Sequence, residues 1–280
     1  MGLMTQVTGA LLCAAVLTGC DDGAYGSTAP GGRGALSPRI VAAVDEATVK
    51  DKGDVKIVSA TGDIAPAVGQ YRDLLGSPNP NVIGEQPGGR REINWDGVPP
   101  IFTDNDLFPG NFFNVNSPRG VLFTTDGSGF RISSKGYVDV NPGYLDEFNT
   151  FSPFKLFAVR GSTTVDVQFV VAGSNTPATV TGFGSVFEDV GREHQTTIEY
   201  FDVDGKRILT VTAPRSSDAR GLSFVGAVFD ERIVSRVRIT SGDTPIGPDE
   251  NDNVKGAGQK RDIVVMDDFI YGEPRPITPR

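Results

Sequence analysis

The sequence predicts a mainly β protein: a two-sheet antiparallel, jelly-roll-like β-sandwich with one short N-terminal helix. Three observations carry this. From residue 90 on, short runs rich in Val, Ile, Phe and Thr are separated by clusters of Gly, Pro, Asn and Asp, the pattern of short strands joined by turns. Several runs alternate: Val165, Val167 and Phe169 with Asp166 and Gln168, and Val237 and Ile239 with Arg236, Arg238 and Thr240. Such strands bury one face and wet the other. The chain also holds 17 Phe and one Trp, which suit a Phe-filled core between two sheets.

The stretch 178–213 organises the rest. Two apolar runs, 196–203 and 206–213, flank Asp204-Gly205, a tight-hairpin signal. A third run, 178–190, leads in, with Gly182 and Gly184 where a strand bulges or another backbone comes close. The three read as a meander of neighbouring strands.

From the N-terminus, residues 1–19 carry no charged side chain, and the apolar run 10–18 is too short to span a bilayer. It ends in Leu17-Thr18-Gly19-Cys20. This resembles the lipobox of bacterial lipoproteins, although no Lys or Arg precedes the apolar run. The resemblance implies a signal peptide over 1–19, cleavage before Cys20, and lipid on Cys20. The protein is then expected outside the cytoplasm, held to a bacterial membrane by its N-terminal lipid. In enteric-type lipoproteins an Asp after the lipidated Cys, here Asp21, favours the inner membrane; the choice of membrane stays open. The alternative is an apolar N-terminal segment docked on the domain. Cys13 falls in the signal and Cys20 carries lipid, so of two cysteines none is left for a disulfide, a zinc site or a nucleophile.

Residues 20–38, dominated by Gly, Ala, Ser, Thr and Pro, read as a flexible tether. Residues 39–89 form a prelude. Within it 40–49 is a short strand or helix, and 63–75 is an amphipathic helix. Asp63 can cap it, Pro66 sits in its first turn and Gly76 stands where it ends, while Ile64, Val68, Tyr71 and Leu75 share one face. The segment 77–89 is a loop. The sandwich is expected over 90–273, with strands at 120–125, 129–134, 154–160, 164–172, through the 178–213 stretch, and at 222–229, 234–240 and 263–271. The last strand is apolar on both faces, Ile263, Val265 and Phe269 on one and Val264, Met266 and Ile270 on the other, so it should lie centrally. Residues 274–280 read as a disordered tail.

The phrases Arg91-Glu92-Ile93-Asn94-Trp95-Asp96-Gly97, Asn116-Ser117-Pro118-Arg119-Gly120, Gly182-Phe183-Gly184 and Val265-Met266-Asp267-Asp268-Phe269-Ile270-Tyr271-Gly272 resemble a group of exported bacterial proteins of undescribed function. The resemblance covers roughly 61–273 and implies a secreted β domain without assigning an activity. The closing Asp-Asp-Phe strand is also loosely similar to jelly-roll carbohydrate-binding modules.

Several chemistries are excluded by count. His194, in the polar turn 191–195 and read as an exposed loop residue, is the one histidine, so there is no multi-histidine metal site, and a histidine-based triad is not expected. No phosphate-loop or dinucleotide fingerprint is present. A formal charge of −9 makes nucleic acid a poor partner and suits solubility and cation binding.

Carboxylates remain. Asp202 and Asp204 flank Val203 before Gly205, Asp267 and Asp268 fall on opposite faces of the last strand, and Asp96, Asp104 and Asp106 precede the strand at 120–125. They read as turn and loop acids or as calcium ligands, with Asp268 first and Asp202 and Asp204 beside it. An Asp among apolar neighbours on a central strand needs a cation or a partner, such as Arg91 or Arg119. Paired carboxylates also suit glycosidase work.

Two loops are long. In 135–153, Tyr137, Tyr144, Phe148 and Phe151 stand among Asp139, Asn141, Asp146, Glu147 and Asn149. Aromatic faces beside such acceptors suit sugar rings, which makes Tyr137, Tyr144, Asp139 and Asp146 the candidate glycan-binding residues. The alternative is a loop whose aromatics close the end of the sandwich. The polar loop 241–261 reads as disordered. The function expected is a lipid-anchored, non-catalytic cell-envelope β-sandwich acting in binding or adhesion, with a glycan as first ligand. The alternatives are a carboxylate-based polysaccharide hydrolase or lyase, and a structural envelope lipoprotein with no small ligand. Oligomeric state stays open.

Overall fold

The computed structural model describes residues 54–217, 220–251 and 261–277. The lipobox with Cys20, the tether 20–38 and the apolar run 40–49 lie outside the described residues, as do 252–260 of the long polar loop and 278–280.

The described chain is a two-sheet antiparallel β-sandwich. One sheet runs β1 (Val55–Thr61), β11 (Leu222–Phe229), β8 (Gly182–Glu188), β13 (Val265–Gly272), β5 (Leu156–Arg160), β4 (Gly129–Ser133), and β2 (Arg90–Ile93) also pairs with β13. The facing sheet runs β10 (Arg207–Thr212), β9 (Thr197–Phe201), β12 (Arg236–Thr240), β6 (Thr164–Phe169), β3 (Val121–Thr124). A small ribbon pairs β7 (Ala178–Thr179) with β14 (Arg275–Pro276). Only the hairpins β4–β5 and β9–β10 keep consecutive strands side by side within one of the two sheets; β1 and β2 share a sheet without touching, and from β2 to β13 most other connections cross between the sheets, as in a jelly roll.

Strand patterns explain the layers. Along β6 and β12 the apolar positions Val165, Val167, Phe169, Val237 and Ile239 are buried between the sheets. On the wet face Asp166 joins Arg236 and Arg238, the latter at 3.0 and 2.7 Å. β13 is buried at every residue because β8, β5 and β2 flank it, the core fills one face and a helix covers much of the other. The core is aromatic. Trp95 stacks on Phe157 with ring centres 4.3 Å apart, and Phe269 meets Trp95 edge-on at 5.1 Å and Phe183 at 5.3 Å. Tyr200 ties the sheets together: its hydroxyl donates to Phe183 O (2.7 Å) and accepts from Ala227 N (3.1 Å).

Helix α1 (Ala65–Leu75) ends where expected but starts two residues later than the expected 63, with Ile64 and not Asp63 at the N-cap position. Asp63 Oδ1 accepts from Ala65 N at 3.3 Å, Gly76 (φ 95°) closes the end, and Ile64, Val68, Tyr71 and Leu75 are buried on the sheet. Tyr71 lies over the register pair Gly184 and Gly226; a Cβ at Gly226 would stand 2.7 Å from its ring. The close approach expected at Gly184 is made by the Phe224 and Tyr71 rings and by Gly226 Cα, and at Gly182 by the Ala227 carbonyl. A one-turn helix, α2 (Phe112–Val115), packs Phe112 and Phe113 into the core.

Four expectations are corrected. The 178–213 stretch is not a meander: β8 is in one sheet, β9 and β10 in the other. β8 is buried at every residue and needs cover on both faces, whereas β9 alternates and can face water on one side. The sandwich begins before residue 90, because β1 in the prelude pairs along its length with β11. The tail is not wholly without structure, since Arg275 and Pro276 form β14. Finally, Asp267 and Asp268 do not take opposite faces. The register of β13 against β8 slips between Met266 and Phe269, and this bulge turns both carboxylates toward one loop.

Candidate functional site

Strand β2 leads into a tight turn, Asn94-Trp95-Asp96-Gly97, and α2 leads into Asn116-Ser117-Pro118-Arg119. These two segments wall a cleft of about 310 Å³, closed on its other side by Phe102. Trp95 holds φ 64°, a backbone region costly for a bulky residue. The ring compensates: it is buried in the aromatic core, and its Nε1 donates to Asp267 O at 2.7 Å. Trp95, Phe112 and Phe113 make the floor, and half-buried Phe102 is the most accessible ring.

Polar groups converge on the rim. Asn94 and Asn116 are exposed, and their side-chain amides have no hydrogen-bond partner among the described residues. Arg119 lies 4.9 Å over the Phe113 ring, donates from Nε to Glu92 O (2.9 Å) and reaches Ser117 Oγ. It makes no ion pair among the described residues. Burial lowers its pKa, with nearby Tyr271 acting against the shift and Arg91 adding to it. A cleft with an aromatic floor, two free amides and an unpaired guanidinium can hold a small polar ligand by its ring faces and hydroxyl or carboxylate groups.

Behind this cleft sits a buried acid group. Asp267 Oδ2 accepts from Phe151 N (2.7 Å) and Ser152 N (3.2 Å). Ser152 Oγ lies 2.9 Å from Asp267 Oδ1 and 2.8 Å from Asp268 Oδ1. The single Ser152 hydroxyl proton is shared between the two carboxylates, or one contact carries a carboxyl proton instead. Burial, with the charge of Asp268 added, pushes Asp267 up to about 8, and burial also raises Asp268. Glu188, on β8, accepts from Asn149 N at 3.2 Å, while its Oε1 is buried with no partner among the described residues. Burial and the nearby Asp267 push Glu188 up to about 9. Arg72 of α1 bonds Glu92 at 2.7 Å and Asp268 at 3.3 Å. Against the desolvation that burial imposes, hydrogen bonds from Arg72 and Arg90 hold Glu92 below its ordinary value.

The residues expected from sequence fall elsewhere. Tyr137 and Tyr144 are buried against Phe148, Leu156, Ile246 and Ile263, so neither offers a face to a sugar; the loop's aromatics close the sheet instead. Asp139 is engaged by Arg131 (2.6 Å), and Asp146 is exposed near Arg220 (3.7 Å). Asp202 Oδ1 accepts from Asp204 N (3.1 Å) and Lys206 N (2.9 Å), stabilising the β9–β10 turn. Asp204 is in that same turn and Asp268 is in the other sheet, so these three candidate calcium ligands do not converge. Among the described residues no group of three or more Asp, Glu, His or Cys side chains could hold a metal ion. Asp268 takes Arg72 as partner, not Arg91 or Arg119. His194 is exposed. In the polar loop, Ile246 is buried and its carbonyl accepts from Arg160 Nη1 at 2.7 Å.

Sequence reasoning missed Phe102, Glu188 and Arg72 as site residues. The usable signal was the pair of phrases 91–97 and 116–120, distant in sequence, which wall one cleft. Comparison with protein-family models, with curated proteins and with solved structures finds no match for this chain.

Proposed function

We propose that this protein is a lipid-anchored, non-catalytic β-sandwich of the bacterial cell envelope that binds a glycan in the cleft between Trp95 and Arg119. The observation that supports the reading is the meeting of two free amides, Asn94 and Asn116, an unpaired Arg119 and the Phe102 ring at one aromatic-floored cleft. Sugars are recognised by this combination of ring faces and convergent hydrogen-bonding groups. The carboxylates closest to a catalytic arrangement, Asp267, Asp268 and Glu188, are buried at 0–2% exposure and are engaged with a loop, which favours binding over hydrolysis or lyase chemistry.

A glycan array with the purified full-length protein, run beside a polysaccharide turnover assay, tests the reading. Binding without turnover, weakened at least tenfold by Asn94→Ala or Asn116→Ala at unchanged melting temperature, is expected. Turnover moves the protein to the hydrolase or lyase reading. Silence in both assays moves it to the structural-lipoprotein reading. The anchor is tested separately: wild type partitions into detergent, and Cys20→Ala leaves an uncleaved or soluble product.

A further inference from the structure

A second cleft, of about 340 Å³, opens where the end of α1, the 87–89 loop, the end of β11 and the segment after β13 meet. Leu74, Leu75 and Val228 line its apolar side, and Lys56, Arg232 and Arg275 face it. In a chain of net charge −9, three cations at one small cleft call for an explanation, and local ion pairing does not supply one. Glu273, the buried acid on its wall, is saturated by Arg91 at 2.6 and 2.8 Å, by Asn79 at 2.9 Å and by Gln86 N at 3.1 Å. Asp230 is exposed at the rim and makes no ion pair among the described residues.

Arg232 is the telling residue. It makes no hydrogen bond or ion pair among the described residues, and its Nε is shielded from solvent without a partner. Arg275 donates to Pro87 O (3.1 Å) and meets exposed Glu85 at 3.3 Å, a surface pair of little worth. Lys56 is exposed and likewise unpaired among the described residues. Burial and the nearby Arg275 both disfavour the charged form of Arg232, with only Glu85 opposing them. Two like charges held together with one exposed carboxylate, Glu85, as their only counter-charge among the described residues cost free energy that an anion between them recovers. The carbonyl end of α1 does not oppose this strongly, since Arg90 caps Gly76 O.

We propose that this cleft binds a small oxyanion, a carboxylate or a phosphate ester on a compact body, with Arg232 as the principal contact and Lys56 and Arg275 on the rim. It is separate from the Asn94 cleft and stands or falls independently of it.

Isothermal titration calorimetry on the full-length protein, with glucuronate, glucose 6-phosphate and glucose as probes, decides it. At least one charged probe should bind with a dissociation constant of about 1 mM or tighter, and glucose should not. Binding should weaken with added salt. Glucuronate alone identifies a carboxylate site, glucose 6-phosphate alone a phosphate site. Arg232→Gln should weaken binding at least tenfold, and Arg207→Gln, on β10 of the other sheet, should leave it unchanged. Lys56→Gln, at an exposed position that folding does not need, should weaken it severalfold and gives the same reading if Arg232→Gln fails to fold. Equal binding of glucose, no binding of either anion at millimolar concentration, or unchanged affinity in both Arg232→Gln and Lys56→Gln overturns the proposal.

Discussion

Arg91 and Glu273 form a two-pronged ion pair, 2.6 and 2.8 Å long, with side chains 0% and 1% exposed. Arg91 also donates to Pro118 O (2.8 Å), Pro80 O (3.2 Å) and Gly84 O (3.2 Å). The pair therefore joins the 77–89 loop and the 116–120 segment to the end of β13, beside both clefts. Removing one partner strands a buried charge. Arg91→Ala or Glu273→Ala should each cost about 3–5 kcal/mol, and the double replacement Arg91→Met with Glu273→Leu should cost less than either. Urea unfolding measures all three.

The acid group behind the first cleft sets an unusual pH dependence. Asp267, near 8, and Glu188, near 9, are raised by burial, so the folded state binds protons there that the unfolded chain releases near pH 4. Folding stability should then fall as pH rises from about 4 to about 9, by on the order of a few kcal/mol. Glu92 and Asp166 shift the other way, and their contribution is lost only on acidification through the ordinary carboxylate range and below. The optimum should lie on the acidic side of neutrality. Asp267→Asn or Glu188→Gln should flatten the decline and stabilise the protein at pH 8–9; an unchanged profile in both variants would contradict the assignment.

Calcium makes a different demand. A cation held by Asp268 would raise the melting temperature with added calcium and lower it with EDTA, by mass action on the folded state. With Arg72 as the partner of Asp268, the melting temperature should be the same in both.

Gly226 and Gly184 oppose each other beneath Tyr71, whose hydroxyl donates to Ala227 O at 3.1 Å. A methyl group at Gly226 meets Tyr71 at 2.7 Å and Gly184 Cα at 2.8 Å, and both neighbours are fixed. Gly226→Ala should destabilise by about 1–3 kcal/mol through overpacking, read as a lower urea midpoint.

The aromatic core gives the opposite test. Phe183 and Phe269 are 0% exposed and pack edge-to-face. Phe183→Ala and Phe269→Ala should each cost about 3–5 kcal/mol, and near-neutral values would mean that those side chains point away from the core.

Local signals alone made much of this fold legible. Helix α1 could be read to within two residues because Asp63, Pro66, Gly76 and the spacing of its apolar face act within the segment. The β9–β10 hairpin was legible for the same reason, through Asp204-Gly205. β1 was not, because its seven residues hold no strict alternation and no hairpin signal; it becomes a strand by pairing with β11, far along the chain. The sheet assignment of β8 was hidden too. Proximity in sequence favours a meander, but burial on both faces sends the strand to the other layer.

The candidate sites divide along the same line. Sequence determined that the chain holds a single histidine and two cysteines, both within its first 20 residues, that carboxylates are plentiful, and that β13 is apolar on both faces. Only tertiary structure decided what those residues do. One bulge brings Asp267 and Asp268 onto the same serine, Tyr137 and Tyr144 turn inward to cover apolar surface, and Arg91 finds Glu273 instead of Asp268. The two clefts exist only because segments dozens to hundreds of residues apart meet at the sheet ends. Periodicity and capping report on the nearest few residues, whereas a cleft or a buried ion pair depends on which distant strands share a layer, and that choice is made by burial of the whole sandwich.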